Sequence, residues 1–230
     1  MRQREKFSIL KSLTALVAIC LCLLAAQWQY HRGIHRHHQN YLIEQNIAAP
    51  KITLNAAEAN LLKSEWRTVT TTGTFDSRQT ILIRNRYFEG KYGFEYLTLF
   101  TNNQGKKFWV DRGWIVAGKD ALTAPLLPST PSGVVEISGR LRLDTSLPRG
   151  SFFALPQSGT GLISKWNAQK EVKTESFYLD LLAGSTAELT PAVSAQLPEL
   201  SDGPHMAYAL QWVFFAGLFG YGRILIRRTR

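Results

Sequence analysis

The sequence predicts a membrane protein in which two transmembrane helices flank an extracytoplasmic, mainly β domain. Three observations support this fold class. Residues 12–30 and residues 206–222 each form an uncharged, apolar stretch, and the chain between them contains short β-branched and aromatic runs separated by glycines. The spacing of these runs is typical of an antiparallel barrel or sandwich-like α+β domain.

The two uncharged stretches predict transmembrane helices. As helices, the 19 residues of the first would span roughly 28 Å and the 17 residues of the second roughly 26 Å, against a hydrocarbon core of about 30 Å. The second becomes long enough if Arg223 snorkels and residues 224–226 stay in the bilayer. The alternatives are a signal peptide and a buried core helix. The first stretch has only a poor cleavage site, because Leu23 and Leu24 precede Ala25–Ala26, and arginines follow the second stretch, so we expect two spans.

The distribution of Lys and Arg predicts that both termini are cytoplasmic. Four basic residues precede the first stretch, and only Arg32 and Arg36 follow it closely. Residues 174–204 contain no Lys or Arg, whereas residues 223–230 contain four arginines. The predicted order is a cytoplasmic tail (1–11), transmembrane helix 1 (12–30), an extracytoplasmic β-rich domain with a C-terminal tether (31–204), transmembrane helix 2 (205–226) and a cytoplasmic tail (227–230).

The formal net charge of +10 follows the same distribution. Residues 1–11 carry +3 and residues 223–230 carry +4, which leaves +3 for the rest of the chain. This balance indicates topology and attraction to anionic lipid, and it does not indicate nucleic-acid binding. The two cysteines, Cys20 and Cys22, lie about 200° apart around the first helix, so they cannot chelate one metal together.

Strands dominate the predicted domain. We expect strands at 67–75, 80–86, 92–100, 107–116 and 134–143, and short helices at 56–63 and around 165–172. Residues 185–204 contain three prolines and no periodicity, which indicates a tether leading to the second span.

The domain lacks the side chains of the commonest catalytic sites. Between residues 39 and 204 there is no His and no Cys, so neither a Ser-His nor a Cys-His pair nor a zinc site of the usual ligands can form there. Paired carboxylates remain possible, but Asp76, Asp111, Asp144 and Asp180 have no motif context. We therefore expect a protein that is not an enzyme.

All the histidines lie at the predicted membrane surface. They are His31, His35, His37, His38 and His205. If the first helix continues beyond the bilayer, His31 and His35 share a face at a spacing that can bind a metal. The alternative is a polar interfacial extension with His and Trp at headgroup level. His205 shares a helical face with Tyr208 and Trp212, and it can equally be a hydrogen-bonded boundary residue.

Small residues indicate how the two helices would meet. They form stripes at Ala15, Ala18, Cys22 and Ala25 on the first helix and at Ala216 and Gly220 on the second. Packing along these stripes would bring the histidines of both helices together at one end of the pair. This convergence suggests a cofactor site at that end.

Several short motifs carry a family resemblance. They are Trp28–Gln29 with Arg32, Gly73–Thr74–Phe75, Val110–Asp111–Arg112–Gly113–Trp114–Ile115, and Pro204–His205 with Tyr208 and Trp212. Together they resemble the Surfeit locus protein 1 family, the cytochrome c oxidase assembly factors, nearly from end to end, and the Val-x-Arg-Gly-Trp match is the most specific. Where the family often has Phe-x-Pro-x-Asn, this chain has Phe153–Ala154–Leu155–Pro156–Gln157–Ser158.

The resemblance implies an assembly factor that helps haem a reach, or stay in, the catalytic subunit of a haem–copper oxidase. In bacterial relatives, haem a binding is associated with the histidine that His205 matches, and Tyr208 and Trp212 belong to the same motif. Arg32 and Arg36 are candidates for the haem propionates. The implied partners are the catalytic subunit, other assembly factors and membrane lipid. The short basic segment before the first span leaves no room for a transit peptide, so we expect a bacterial plasma membrane.

Two other functions remain open. The first is a protein-only membrane chaperone or scaffold that holds oxidase assembly intermediates without a cofactor. The second is copper handling by the His31–His38 cluster, although the exported domain has no Cys or Met-rich stretch for Cu(I).

The Arg112 motif also has local explanations. Gly113 could mark a bulge, Trp114 could anchor the core or its rim, and Arg112 could pair with Asp111 instead of binding a partner. With Trp28 and Gln29, these residues are predicted to be partner-binding or structural.

Overall fold

The computed structural model describes residues 7–118, 125–144 and 161–228. The sequence Phe153–Ser158, at which the chain departs from the family pattern, lies outside these residues. The chain divides into two compact units. One comprises Met1–Leu42 with Glu199–Arg230, and the other comprises Ile43–Pro198.

Two long helices, α1 (Ser8–Ala48) and α5 (His205–Arg228), form most of the first unit. Each contains an 18-residue window that is long and apolar enough to cross a membrane, with mean hydropathies of 2.4 and 1.4. Only 11% of each window is buried, whereas the core helix of a soluble protein is mostly buried. The 41 residues of α1 extend about 61 Å, so the helix continues well past residue 30, the predicted end of the first span.

The two helices pack through small residues. Cys22 and Ala26 of α1 and Ala216 of α5 are buried. A Cβ atom built on Gly220 would lie 3.8 Å from Cδ1 of Ile19. The predicted stripes of small residues therefore lie at the contact between α1 and α5, where they allow the two backbones to approach closely.

Arg223 joins the end of α5 to the start of α1. Its Nε donates to Oγ of Ser12 at 2.9 Å, and its Nη2 donates to the carbonyl and to the Oγ of Ser8, both at 2.9 Å. These bonds satisfy a cation that would otherwise be costly beside apolar helix surface. They also show that the two helices run antiparallel.

A closed five-stranded barrel forms the second unit. Its strands are β2 (Thr68–Phe88), β3 (Lys91–Asn102), β4 (Lys107–Val116), β5 (Val135–Leu143) and β6 (Phe177–Gly184). They pair in the order β2-β3-β4-β6-β5, and β5 returns to pair with β2, which closes the barrel. A two-residue strand, β1 (Ile52–Thr53), pairs with β2 in parallel. The helices are α2 (Leu54–Glu58), α3 (Leu61–Ser64) and α4 (Leu162–Lys170).

The structure confirms the barrel, one of the two predicted alternatives, and corrects the prediction in one respect. The barrel is not wholly antiparallel, because β4 and β6 pair in parallel. Strand β6, which makes that parallel pair, was not predicted. All five residues from Phe177 to Leu181 are buried. A strand covered on both faces loses the two-residue alternation by which strands are recognised.

A register shift joins the first two predicted strands into one. The pairing of β2 with β3 shifts between Asp76 and Thr80, and the strand continues through it. Before the shift, Phe75 packs on the cluster inside the barrel, and after it Ile81 packs on a cluster on the opposite face. Such bulges bend a strand and change which face its side chains cover. The sequence break at 76–79 therefore marks a bulge inside one strand.

Two apolar clusters stabilise the barrel. The inner cluster receives side chains from all five strands, among them Val69, Phe100, Phe108, Ile137 and Leu179. The outer cluster lies between the sheet and α4 and contains Leu97, Trp109, Ile163, Trp166 and Tyr178. Helix α4, predicted around 165–172, begins earlier so that Ile163 and Trp166 both cover this face.

The helix predicted at 56–63 is two short helices. The Oγ1 of Thr53 accepts from the N–H of Ala56 at the start of α2, so Thr53 is the N-cap of this helix. The Oδ1 of Asn60 accepts from the N–H of Lys63 at the start of α3. Each short helix therefore has its own capping side chain.

Residues 185–198 pack on the barrel, so the tether prediction is wrong for this part. Leu189 is fully buried in the inner cluster, and Ala195 is 7% exposed. The backbone N–H of Trp114 donates to the carbonyl of Val193 at 2.8 Å. Two of the three prolines that suggested a flexible linker, Pro191 and Pro198, lie in this segment, which side-chain burial and backbone hydrogen bonds hold to the barrel.

Candidate functional site

His205, the first residue of α5, contacts α1 through Gln29. Its Nδ1 lies 2.9 Å from Oε1 of Gln29. Because an amide oxygen can only accept, Nδ1 is the donor of this hydrogen bond, and Nε2 is the ring nitrogen that Gln29 does not engage. Most metal-binding histidines are oriented by such a hydrogen bond, which the ring nitrogen that does not bind the metal donates. The structure thus brings together two residues that are 176 positions apart in the sequence.

Two glycines, Gly33 and Gly203, lie against His205, where a side chain would contact it. A Cβ on Gly33 would lie 3.3 Å from Cβ of His205 and 3.3 Å from Sδ of Met206, so the glycine allows α1 to approach the start of α5 closely. Gly203 adopts φ +67°, and a Cβ there would stand 3.7 Å from Nε2 of His205. The absence of that Cβ leaves room beside the one ring nitrogen that can act as a ligand.

Polar residues of α1 hold the turn that precedes His205. Oδ2 of Asp202 lies 2.7 Å from Nδ1 of His37, and Oδ1 of Asp202 accepts from Nδ2 of Asn40 at 3.0 Å. The hydrogen bond from His37, with that from Asn40, lowers the pKa of Asp202. Nε of Arg36 donates to the carbonyl of Ser201. These contacts order residues 201–205 against α1, so the position of His205 does not depend on α5 alone.

The other predicted residues of this region are more exposed. Trp28 is 59% exposed, and the guanidinium of Arg32 lies 5.7 Å from the centre of its ring. Tyr208 and Trp212 lie on α5, the first 46% and the second 36% exposed. No hydrogen bond or ring contact joins either of them to His205 among the residues that the structure describes.

The predicted histidine cluster contains no group of three metal ligands among the residues described. His31, His35 and His38 are exposed on α1, and His37 is engaged by Asp202. Within residues 7–118, 125–144 and 161–228, no three His, Cys, Asp or Glu side chains lie close enough to hold one metal ion. His205, whose Nδ1 is bound to Gln29, offers its Nε2 as a single imidazole ligand.

The Arg112 motif holds two segments onto the barrel. Nη1 of Arg112 donates to Oγ1 of Thr130 at 2.7 Å, and Nη2 donates to the carbonyl of Ser129 at 2.7 Å. Its guanidinium lies 5.5 Å from the ring centre of Phe75 and 5.1 Å from that of Tyr96. Arg112 therefore does not pair with Asp111, because neighbouring residues of a strand point to opposite faces of the sheet.

Gly113 and Trp114 complete the motif. Gly113 has φ +103°, and a Cβ there would meet the carbonyl oxygen of Val193 at 2.3 Å. Nε1 of Trp114 donates to the carbonyl of Arg86 at 3.2 Å, and its ring packs on Phe88. The motif thus fastens the 191–193 segment and the end of β2 to β4, which is a structural role.

Asp111 is the residue of this motif whose pKa is strongly shifted. The side chain is 4% exposed, and its Oδ1 accepts from the N–H of Gly113 at 2.8 Å. Burial raises the pKa of Asp111 well above its usual range, and the neighbouring Glu95 and Asp180 raise it further. The folded protein therefore holds a proton on Asp111 to a higher pH than the unfolded chain does.

Asp111→Asn should become more stable relative to the wild type as the pH rises from about 4. The unfolded carboxyl ionises first, so the wild type loses stability up to the raised pKa of the folded protein, whereas the neutral amide does not titrate. Urea unfolding of both proteins in detergent at several pH values measures the difference. Asp76→Asn, on exposed β2 surface, is the matched control. A difference that is independent of pH would contradict the predicted effect.

The sequence predictions missed Asn40, Ser201 and Asp202. A spacing signal for them exists, because Gln29, Gly33 and Asn40 repeat at four and seven residues and so lie on one face of a long helix. The partners of Asn40 could not be found in this way, since Ser201 and Asp202 belong to a turn without a periodic pattern.

Comparisons with known proteins identify a family for this chain. The model of the SURF1 family matches residues 15–217, which include Gln29, the Arg112 motif and His205. An uncharacterised SURF1-like protein of Mycobacterium bovis is 28% identical over 232 aligned positions, which cover 93% of this chain and 83% of the relative. SURF1-like proteins of two Mycobacterium tuberculosis strains, also uncharacterised, match with the same identity and coverage.

Proposed function

Because this chain belongs to the SURF1 family, we propose that it is an assembly factor for a haem–copper (cytochrome c) oxidase and assists haem a insertion or retention in the catalytic subunit. The family is generally linked to cytochrome oxidase assembly, and it is a family of assembly factors and not of enzymes. In this proposal the catalytic subunit and other assembly factors are the partners of the chain.

The hydrogen bond between Gln29 and His205 is the observation that carries the haem proposal. Gln29 accepts from Nδ1 at 2.9 Å, which leaves the lone pair of Nε2 for an iron atom. Haem a, when bound, supplies an iron that accepts one imidazole. Its two propionate groups attract cations. Arg36 is anchored at the carbonyl of Ser201, close in sequence to His205, and Arg32 is exposed, so both are suited to bind a propionate.

The apolar parts of α5 would form the wall of such a site. Tyr208 and Trp212 follow His205 on one side of the helix and are partly exposed, so they offer aromatic surface to a flat macrocycle. Trp28 and Arg32 provide a second aromatic and cationic pair on α1. We assign these residues to binding and orientation.

Both termini are cytoplasmic and the barrel is extracytoplasmic in this proposal, and the membrane is a bacterial plasma membrane. The charge asymmetry around the two apolar helices supports this orientation. His205 and its partners would then lie at the outer surface of the bilayer. Reporter fusions at residue 230 and within the barrel test the orientation, and a cytoplasmic barrel would contradict it.

The haem a proposal predicts that the purified protein has the absorbance spectrum of haem a. The full chain, purified from cells that also express the haem a synthesis enzymes, should carry haem a absorbance, and His205→Ala should remove most of it because the iron loses its protein ligand. His38→Ala, an exposed histidine on α1, is the matched control and should leave the spectrum unchanged.

Two other outcomes would contradict the proposal. Co-purification of oxidase subunits without haem a, unaffected by His205→Ala, would favour the protein-only chaperone. Stoichiometric copper that is lost on removing His31, His35, His37 and His38 would favour copper handling.

Gln29→Ala should lower haem a occupancy by about tenfold or more, because the His205 ring loses the acceptor that orients it. Gln29→Glu keeps an acceptor at this position and should retain most of the haem. Titration of the purified proteins with haem, followed by absorbance, measures both affinities. Equal affinities of Gln29→Ala and the wild type would show that Gln29 does not position His205.

A further inference from the structure

A cavity in the barrel unit is lined by charged side chains that the proposed function does not use. Its volume is about 250 Å³. Three carboxylates line it, from Glu95 on β3, Asp111 on β4 and Asp180 on β6. In the pairing of β4 with β6, Asp111 lies directly beside Asp180. The strand register therefore brings these acidic groups together on the outer face of the sheet.

Two of these carboxylates have arginine partners. Nε of Arg86 lies 2.7 Å from Oε2 of Glu95, and Nη1 of Arg142 lies 2.7 Å from Oδ2 of Asp180. Arg140, beside the cavity, lies 3.5 Å from the same oxygen of Asp180. Burying a carboxylate is costly unless a cation accompanies it. The arginines supply the positive charge, and Arg142 also donates a hydrogen bond to Asp180.

Asp111 has no such partner. It is 4% exposed, and among the residues that the structure describes its sole hydrogen-bond donor is the backbone N–H of Gly113, on Oδ1. No ion pair to Asp111 occurs in the same residues. A nearly buried carboxyl group thus lines a cavity without the cation that its two neighbours have.

The ion pair between Arg142 and Asp180 shows which kind of group could bind Asp111 in the cavity. The guanidinium of Arg142 contacts Asp180 and also lies over aromatic rings, 3.7 Å from the centre of Trp66 and 5.7 Å from that of Tyr178. The cavity beside Asp111 likewise has aromatic walls, from Trp166 and Tyr178, which are 5% and 3% exposed. A carboxylate beside aromatic surface is a favourable site for a planar cation.

We propose that this cavity binds a small organic cation, a guanidinium or ammonium group on a short apolar stem, with Asp111 as the anionic acceptor. When the cation binds, Asp111 releases its proton to solvent. The cation then donates hydrogen bonds to the carboxylate that forms, and the stem contacts the aromatic walls. This site lies entirely within Ile43–Pro198 and is independent of His205 and of haem a.

Calorimetric titration of the full chain in detergent, without haem, tests the site with two probes of the same shape. Butylguanidinium carries the charge, and butylurea is its neutral counterpart. Because hydrogen bonds to charged groups are the stronger, the wild type should bind butylguanidinium at least about tenfold more tightly than butylurea. This comparison needs no variant, so it holds even if a substitution unfolds the protein.

Asp111→Asn tests whether the preference for butylguanidinium over butylurea depends on the Asp111 side chain. The amide keeps an acceptor for Gly113, and the ratio of the two affinities should fall to about one. Asp76→Asn, which changes a carboxylate outside the cavity, should keep the wild-type ratio. The proposal is wrong if the wild type binds neither probe or does not distinguish them, or if folded Asp111→Asn keeps the preference for the cation.

Discussion

Asp180→Ala should lower the free energy of unfolding by about 3–5 kcal/mol, the largest effect that we expect from a single substitution in this chain. Asp180 is 1% exposed and faces two guanidinium groups, with its Oδ2 at 2.7 Å from Nη1 of Arg142 and 3.5 Å from Nε of Arg140. Alanine removes the carboxylate and leaves both cations in a buried region, where the loss of their counter-charge is costly. Urea unfolding in detergent, followed by tryptophan fluorescence, measures the change.

The matched control is Asp76→Ala. Asp76 also forms an ion pair, but its partner Arg78 is 88% exposed, so we expect a loss below about 1 kcal/mol. If Asp180→Ala destabilised the protein no more than this control, the buried charges would not hold β5 and β6 together as the structure indicates.

Gly113→Ala should destabilise the protein by about 3 kcal/mol or more, because two separate costs act at one position. The residue has φ +103°, which a side chain opposes, and the new Cβ would meet the carbonyl oxygen of Val193 at 2.3 Å and Cβ of Pro191 at 3.0 Å. The segment 191–193 would have to move, and the hydrogen bond from Trp114 to Val193 would weaken. The thermal unfolding midpoint of the purified variant measures the effect.

Gly105→Ala separates the two costs. Gly105 has φ +79°, but nothing lies within 4 Å of its Cβ position, so this variant has only the backbone strain, about 1–3 kcal/mol. The difference between the two variants measures the packing of 191–193 on β4. Equal losses would mean that this segment yields easily and that Gly113 is needed only for its backbone conformation.

Local patterns account for much of the fold. The apolar stretches 12–30 and 206–222 lie within α1 and α5, and strand β4 has the predicted bounds, Lys107–Val116. Strand β6 escaped prediction because it is buried on both faces. The register shift at Asp76–Thr80 looked like a gap between two strands because only the pairing with β3 shows that the strand continues.

The candidate site was predictable in its composition but not in its contacts. The sequence places the histidines at the ends of the two apolar helices, and the stripes of small residues indicate that these helices pack together. That Gln29, and not His31 or His35, contacts His205 depends on the rotation of α1 about its axis. Side-chain packing along the whole helix pair decides this rotation, and no local pattern of residues encodes it.

The sequence by itself determined the two apolar helices, their charge asymmetry and the restriction of His and Cys to the residues outside 39–204, since these follow from composition and order along the chain. Only the tertiary structure decided which groups meet. It paired Gln29 with His205, gave Asp180 two arginines and left Asp111 beside a cavity without one among the residues described. Contacts between distant residues depend on strand register and helix rotation, which follow from the packing of the whole chain.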